Sequence, residues 1–234
     1  MNQLNSQSAN FYFDGCALIQ IKQTQSFLAL VEDLRQLHFI DLGEHEDFSL
    51  NYKDTYDLKR DADLNEKLVK FLFDQGIPHK IKALTGRNYI LGDLVLRKSR
   101  QIKSYMPWHR DTYLDKNKNL VGRTPPLIKL IFYPRLEDSC SHELSILRGS
   151  SKRVFRSYVI DKLQRFFVKK TKIFQSNETC VLFDSAIIHS AIPSTKHSNG
   201  SFRLIYNFCD ESQVDTFRCG KTITDIYKKY ELSN

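Results

Sequence analysis

Glycine and proline are scarce in this 234-residue chain, nine and six respectively, which argues against long flexible linkers. Apolar runs are short, and none reaches the ~18 consecutive residues of a membrane-spanning helix. Residues 1–10 are polar and hold no apolar stretch with a cleavage site, so no signal peptide is expected. Cysteine is sparse and unpatterned. The five (Cys16, Cys140, Cys180, Cys209, Cys219) are odd in number and form no C-x-x-C pair. They fit a reducing, cytoplasmic setting better than a disulfide framework or a zinc ribbon. Helix-turn-helix, zinc-finger and RNP patterns are also missing, so no nucleic-acid partner is expected.

What is present is a chain that is 41% hydrophobic and 26% charged, enough for one domain with a real core. Its charge is lopsided. Residues 1–100 carry 13 Lys+Arg and 14 Asp+Glu, whereas residues 101–234 carry 22 and 13. The whole +8 excess therefore lies in the second part, as suits an anionic partner or substrate.

Phe11-Tyr12-Phe13 reads as an aromatic lead-in, Asp14-Gly15 as a turn, and the next six residues as a short apolar strand. Phe27, Val31 and Leu34, with Leu30 and Leu37, predict a helix over 24–37. A second helix is predicted over 64–73, with Asp63 and Glu66 as a capping box and Gly76 with Pro78 as its stop. From about residue 88 the texture turns to β-like runs, at 89–98, 127–133, 143–147, 166–174, 179–183 and 202–208. Such spacing predicts an antiparallel sandwich or jelly roll. One helix is expected near 157–164 and another in the tail through Ile223, Ile226, Tyr227 and Tyr230. The expected organisation is one α+β domain: a strand and helical layer in 1–88, a jelly-roll core in 89–210, and a terminal helix in 211–234.

The sharpest local feature is Trp108-His109-Arg110-Asp111. On a strand, residues i and i+2 share a face, so His109 and Asp111 would project together. One more ligand makes a facial triad, which leaves three octahedral positions of Fe(II) open. His189, after the apolar strand and Ala186-Ile187-Ile188, is the natural third. Fourteen residues later Arg203 opens another strand, where its guanidinium could hold the far carboxylate of a dicarboxylic acid. Ile205 and Asn207 share the face of Arg203. On 127–133 one face is Lys129, Ile131 and Tyr133, a candidate cavity lining. The other, Ile128, Leu130 and Phe132, reads as core.

These segments resemble, in order and over most of the chain, the phytanoyl-CoA dioxygenase-like group of Fe(II)/2-oxoglutarate oxygenases. Phe11-Tyr12-Phe13-Asp14-Gly15 resembles the group's opening F-x-x-D-G element, and His109-Arg110-Asp111 its H-x-D. Leu144-Ser145-Ile146-Leu147-Arg148-Gly149-Ser150-Ser151-Lys152 resembles its L-x-x-x-P-G-S-H-K loop, with Arg148 for the proline and Ser151 for the histidine. His189 to Arg203, with Asn199 and Ser201 between, resembles its closing element. Ala191 stands where a hydroxyl residue is common.

The resemblance implies a double-stranded β-helix, cupin-like jelly-roll core. It implies Fe(II) held by His109, Asp111 and His189, with O2 and 2-oxoglutarate as co-substrates and Arg203 on the distal carboxylate. Lys98 is a further expected co-substrate contact, and Asn207 another. Related halogenases carry a small residue at the position of Asp111, so a carboxylate there implies hydroxylation. The basic run Arg148, Lys152 and Arg153 is expected near the cavity mouth, facing a small or lipid-like anionic substrate. A binding module that keeps the fold without catalysis, or an oxygenase acting on a macromolecule, are the rival readings.

Overall fold

The computed structural model describes residues 11–37, 54–55, 61–99, 106–111, 113–114, 120–121, 127–134, 142–155, 157–174, 176, 178–193, 201–216 and 220–233. Thr24 caps the first long helix, α1 (Gln25–Arg35), its hydroxyl accepting from the Phe27 N–H at 3.2 Å. Phe27, Leu30, Val31 and Leu34 form its buried stripe, as their spacing predicts. Helix α2 (Ala62–Asp74) is capped by Asp61, whose carboxylate accepts from the Leu64 N–H at 2.9 Å. The box expected at Asp63 and Glu66 therefore does not form. Asp63 lies inside the first turn, where its charge still suits the helix dipole. Glu66 instead accepts from Lys229 and Tyr230, at 2.9 and 3.1 Å.

Gly76 and Pro78 do end α2, but they also begin a helix that the sequence reading lacks. Gly76 adopts a left-handed φ of 63°, and Pro78 sits in the first turn of α3 (Ile77–Thr85). A proline there loses no hydrogen bond, because first-turn N–H groups have no intrahelical acceptor. The later helices are α4 (Tyr158–Phe167) and α5 (Gly220–Glu231). The strand expected over 166–174 starts only at Lys170, since Phe166 and Phe167 complete α4.

The strands among the described residues are β1 (Cys16–Gln20), β2 (Asp54–Thr55), β3 (Ile90–Ser99), β4 (Met106–His109), β5 (Tyr113–Leu114), β6 (Leu120–Val121), β7 (Ile128–Phe132), β8 (His142–Leu147), β9 (Lys170–Phe174), β10 (Thr179–Asp184), β11 (His189–Pro193) and β12 (Ser201–Cys209). They form a six-stranded sheet, β1-β10-β7-β12-β3-β2, a four-stranded sheet, β4-β11-β8-β9, and the small pair β5-β6. Every pairing is antiparallel. The result is a jelly-roll sandwich with helices on the outer face of the larger sheet.

Strand alternation divides the core in two. Ile128, Leu130 and Phe132 of β7, with Leu204, Tyr206 and Phe208 of β12, face the helices and bury Phe27, Leu68, Phe71, Leu72, Ile77 and Ile81. The opposite faces supply Ile131, Tyr133 and Ile205, which meet Leu144 and Ile146 of the smaller sheet together with Val181, Phe183 and Ile187. The tail helix belongs to the outer layer. Thr224 Oγ1 donates to the Leu91 carbonyl at 2.8 Å, and the ring of Tyr227 lies 5.0 Å from that of Phe73. Cys16, Cys180 and Cys209 are buried within the core and form no disulfide. Burial pushes the first two up to about 12.

Two of the motifs meet here. Gly15, at a φ of 74°, packs against Ser151 so closely that a Cβ would come within 2.4 Å of its hydroxyl. The Gly149 N–H donates to the Asp14 carbonyl at 2.8 Å. The opening D-G turn and the G-S loop are thus one packed corner.

Candidate metal centre

His109 ends β4, and antiparallel pairing sets it directly opposite His189, the first residue of β11. The two imidazole centroids are 4.3 Å apart. Asp111 lies just beyond β4, in a bend, so it does not share a strand with His109 as the H-x-D spacing predicts. Its backbone N–H donates to the Ser185 carbonyl at 3.1 Å, which brings its side chain back to the histidines. Asp111 Oδ1 is 3.6 Å from His109 Nε2, and Oδ2 is 3.4 Å from His189 Nε2. One ligand atom from each of the three lies within 4.8 Å of the others.

The donor set suits a divalent metal. His189 is buried, and its Nδ1 donates to the Ile187 carbonyl at 3.1 Å, leaving Nε2 as a lone-pair donor toward Asp111. Burial, partly opposed by Asp111, lowers the His189 pKa to about 4, with His109 and Lys129 adding to the fall. The ring is therefore neutral at physiological pH, as ligation requires. Burial is the largest influence on Asp111 and works against its ionisation, but Lys129 and the two histidines together outweigh it and hold the carboxyl well below its usual range. Two imidazoles and one carboxylate are the donor types of a 2-His-1-carboxylate site.

Lys129 is the least expected neighbour. Its Nζ lies 2.8 Å from Asp111 Oδ2, which places it at the centre and not merely on the lining. Across the sheet it stands opposite Asn207 of β12, whose Nδ2 donates to Asp93 Oδ2 of β3 at 3.2 Å. Arg203 is 3% exposed and follows the same strand alternation as Ile205 and Asn207, toward the inter-sheet core. The position paired with Arg203 on β3 is Arg97, whereas Lys98 pairs with Phe202. The Lys98 side chain lies outside the described residues, as does Asn199. Tyr133 is buried in the inter-sheet cluster.

Of the basic loop, Arg148 pairs with Asp14 at 3.1 Å and the Lys152 ammonium lies 4.2 Å from the Tyr12 ring centre. Arg153 is exposed, and its carbonyl accepts from Gln164 at 2.7 Å.

Arg110, between the two candidate ligands, was passed over by the sequence reading. Its guanidinium is buried and grips Asp161 of α4 through two bonds of 2.7 and 2.8 Å. It also donates to the carbonyls of Ser150 at 2.8 Å and Arg153 at 3.2 Å, and to that of Ala186. Ser150 in turn accepts the Ile188 N–H at 2.8 Å. The segment before His189, the G-S loop and α4 are thereby tied to the H-R-D segment by one side chain. One signal in the sequence points to the pair: Asp161 is the single anion within 148–172, among nine cations.

No family model and no curated protein matches the chain. Solved structures do. The non-heme α-ketoglutarate-dependent epimerase SnoN of nogalamycin biosynthesis superposes with a TM-score of 0.64 at 12% identity, over 89% of this chain and 84% of SnoN. AviO1 from Streptomyces viridochromogenes Tue57 gives 0.62 at 15%, over 89% and 95%. HygX from Streptomyces hygroscopicus, solved with nickel, 2-oxoglutarate and hygromycin B, gives 0.64 at 15%, over 88% and 87%. At such identities the likeness defines the fold: the chain has the cupin-like jelly roll of these proteins.

Proposed function

We propose that the chain is an Fe(II)- and 2-oxoglutarate-dependent oxygenase of the phytanoyl-CoA dioxygenase-like group, which hydroxylates a small or lipid-like anionic substrate. The observation that carries this reading is the convergence of His109, Asp111 and His189 between the two sheets of this fold. The same fold holds metal and 2-oxoglutarate in HygX. Iron with 2-oxoglutarate and O2 supplies the oxidation of a substrate C–H bond, with release of succinate and CO2.

The protein's own part is placement. His109, Asp111 and His189 would hold the metal, the last oriented by the Ile187 carbonyl. Arg203, buried on β12, would hold the distal carboxylate of 2-oxoglutarate, with Asn207 on the same strand face. Ile131, Ile205 and Phe183 exclude water from that side of the centre. Lys129, already at the Asp111 carboxylate, gives the centre a fixed cation that favours an anionic substrate group.

Incubation of the iron-loaded protein with 2-oxoglutarate and panels of small carboxylates, phosphates and acyl thioesters tests this by mass spectrometry. Succinate release coupled to a one-oxygen mass gain in a substrate is expected. Succinate with a product of unchanged mass would instead assign an isomerisation such as the epimerisation of SnoN. Absence of succinate throughout would overturn the oxygenase reading.

A further inference from the structure

Helix α4 is built inside out. Asp161 and Gln164, the polar residues of one face, are buried, while Val159, Ile160, Leu163, Phe166 and Phe167 of the opposite face stand in solvent. Phe167 is 86% exposed and Phe166 64%. These five sit at i, i+1, i+4, i+7 and i+8, which is one continuous apolar stripe. The preceding segment extends it with exposed Val154 and Phe155.

The stripe cannot be a loosely packed face awaiting rotation. Arg110 clamps Asp161 through both carboxylate oxygens, and Gln164 Nε2 donates to the Arg153 carbonyl at 2.7 Å and to Asp161 at 2.8 Å. Turning the apolar side inward would strand a buried guanidinium and carboxylate, so the fold holds it outward.

Charge says what covers it. Residues 148–172 contain nine Lys and Arg and one acid, Asp161, which is spent on Arg110. Lys162, Lys169, Lys170 and Lys172 are exposed along the helix and the strand that follows it, and the Arg165 guanidinium lies 4.7 Å from the centre of the Phe166 ring. A self-complementary contact between two copies would bring these cations against their own equivalents. A bilayer surface rich in anionic headgroups matches both features: the stripe enters the acyl boundary while the cations meet the phosphates.

We propose that α4 and its flanks are an interfacial docking surface for anionic membranes, holding the protein on the bilayer without spanning it. The surface is independent of the reaction assigned to the metal centre. Arg110 ties the H-R-D segment to the face of α4 opposite the stripe, so docking leaves that segment on the side of the helix away from the bilayer.

Flotation of the full-length protein with extruded vesicles tests this, using phosphatidylcholine alone or with about 30 mol% phosphatidylserine. Binding is expected to the mixed vesicles, at least tenfold stronger than to phosphatidylcholine alone and weakened by salt. The pairs Phe166→Ser with Phe167→Ser, and Lys169→Glu with Lys170→Glu, should each cut it tenfold or more. Because all four side chains are exposed, both variants should melt with the parent, as thermal scans would verify. Failure of the parent to bind mixed vesicles would overturn the proposal, as would undiminished binding by either folded variant. So would a concentration-dependent dimer, abolished by the Phe pair, in place of vesicle binding.

Discussion

His189 carries a pH signature that the metal-free protein should display. Unfolded, its imidazole takes a proton near 6.5; folded, burial delays this to about 4. Between those values the unfolded state binds more protons, so stability falls as pH is lowered from about 7 toward 4. Urea unfolding at pH 7 and pH 5 measures this. His189→Gln should flatten the slope, and an unchanged slope would refute the assignment. At Arg203 the expected effect is on one co-substrate. Arg203→Ala should raise the KM for 2-oxoglutarate by roughly two to four orders of magnitude, the scale set by ~3–5 kcal/mol for stranding one member of a buried charged pair. The KM of the oxidised substrate should stay near its original value. The opposite split would reassign Arg203 to that substrate.

Among the elements, the helix after the G-S loop is anchored chiefly by a buried ion pair, with Gln164 beside it. Arg110 and Asp161 are both buried, with side chains 2% and 6% exposed. Removing either by alanine should cost ~3–5 kcal/mol. The double replacement should cost clearly less than the sum, because neither charge is then left alone. Denaturant melts of the cycle measure the coupling, and strict additivity would contradict it. These elements also mark how far the sequence could be read. The runs of β7, β10 and β12 alternate cleanly, so their faces and the helical cover were legible from periodicity. The spacing also pointed to His109, Asp111 and His189 coming together, which they do, although Asp111 reaches the histidines from a bend and not from the strand the spacing predicts. The start of α3 at Gly76 and Pro78 was not legible, since the same residues stop one helix and open the next. Nor was the position of Phe166 and Phe167. Two aromatic residues before a lysine run look like strand, whereas in the structure they complete α4, whose buried face is anchored through Asp161 to Arg110, a contact across 51 residues.

For the molecule as a whole, the two sheets divide the labour. The larger sheet is backed by α1, α2, α3 and α5, which bury its outer face and make it a rigid floor. Its inner face presents Lys129, Asn207 and Arg203 toward the smaller sheet, whose adjacent β4 and β11 carry His109 and His189. Three of the four helices behind the floor, α1, α2 and α3, come from the first part of the chain, while α5 and the three converging side chains come from the basic second part. The charge imbalance seen in composition thereby becomes a spatial one, concentrated on α4, β9 and the G-S loop. Among the described residues no helix is long and apolar enough to cross a membrane, so any bilayer contact of α4 is made at the surface.

Anaerobic calorimetry of Fe(II) with the intact protein addresses the proposed metal centre directly. One Fe(II) per chain is expected for the parent, and 2-oxoglutarate should bind tightly only once the metal is present. His109→Ala and His189→Ala should lose the metal while keeping the parent's far-ultraviolet spectrum. Parent protein that takes up no stoichiometric iron, or histidine variants that bind it as well as the parent, would contradict the account.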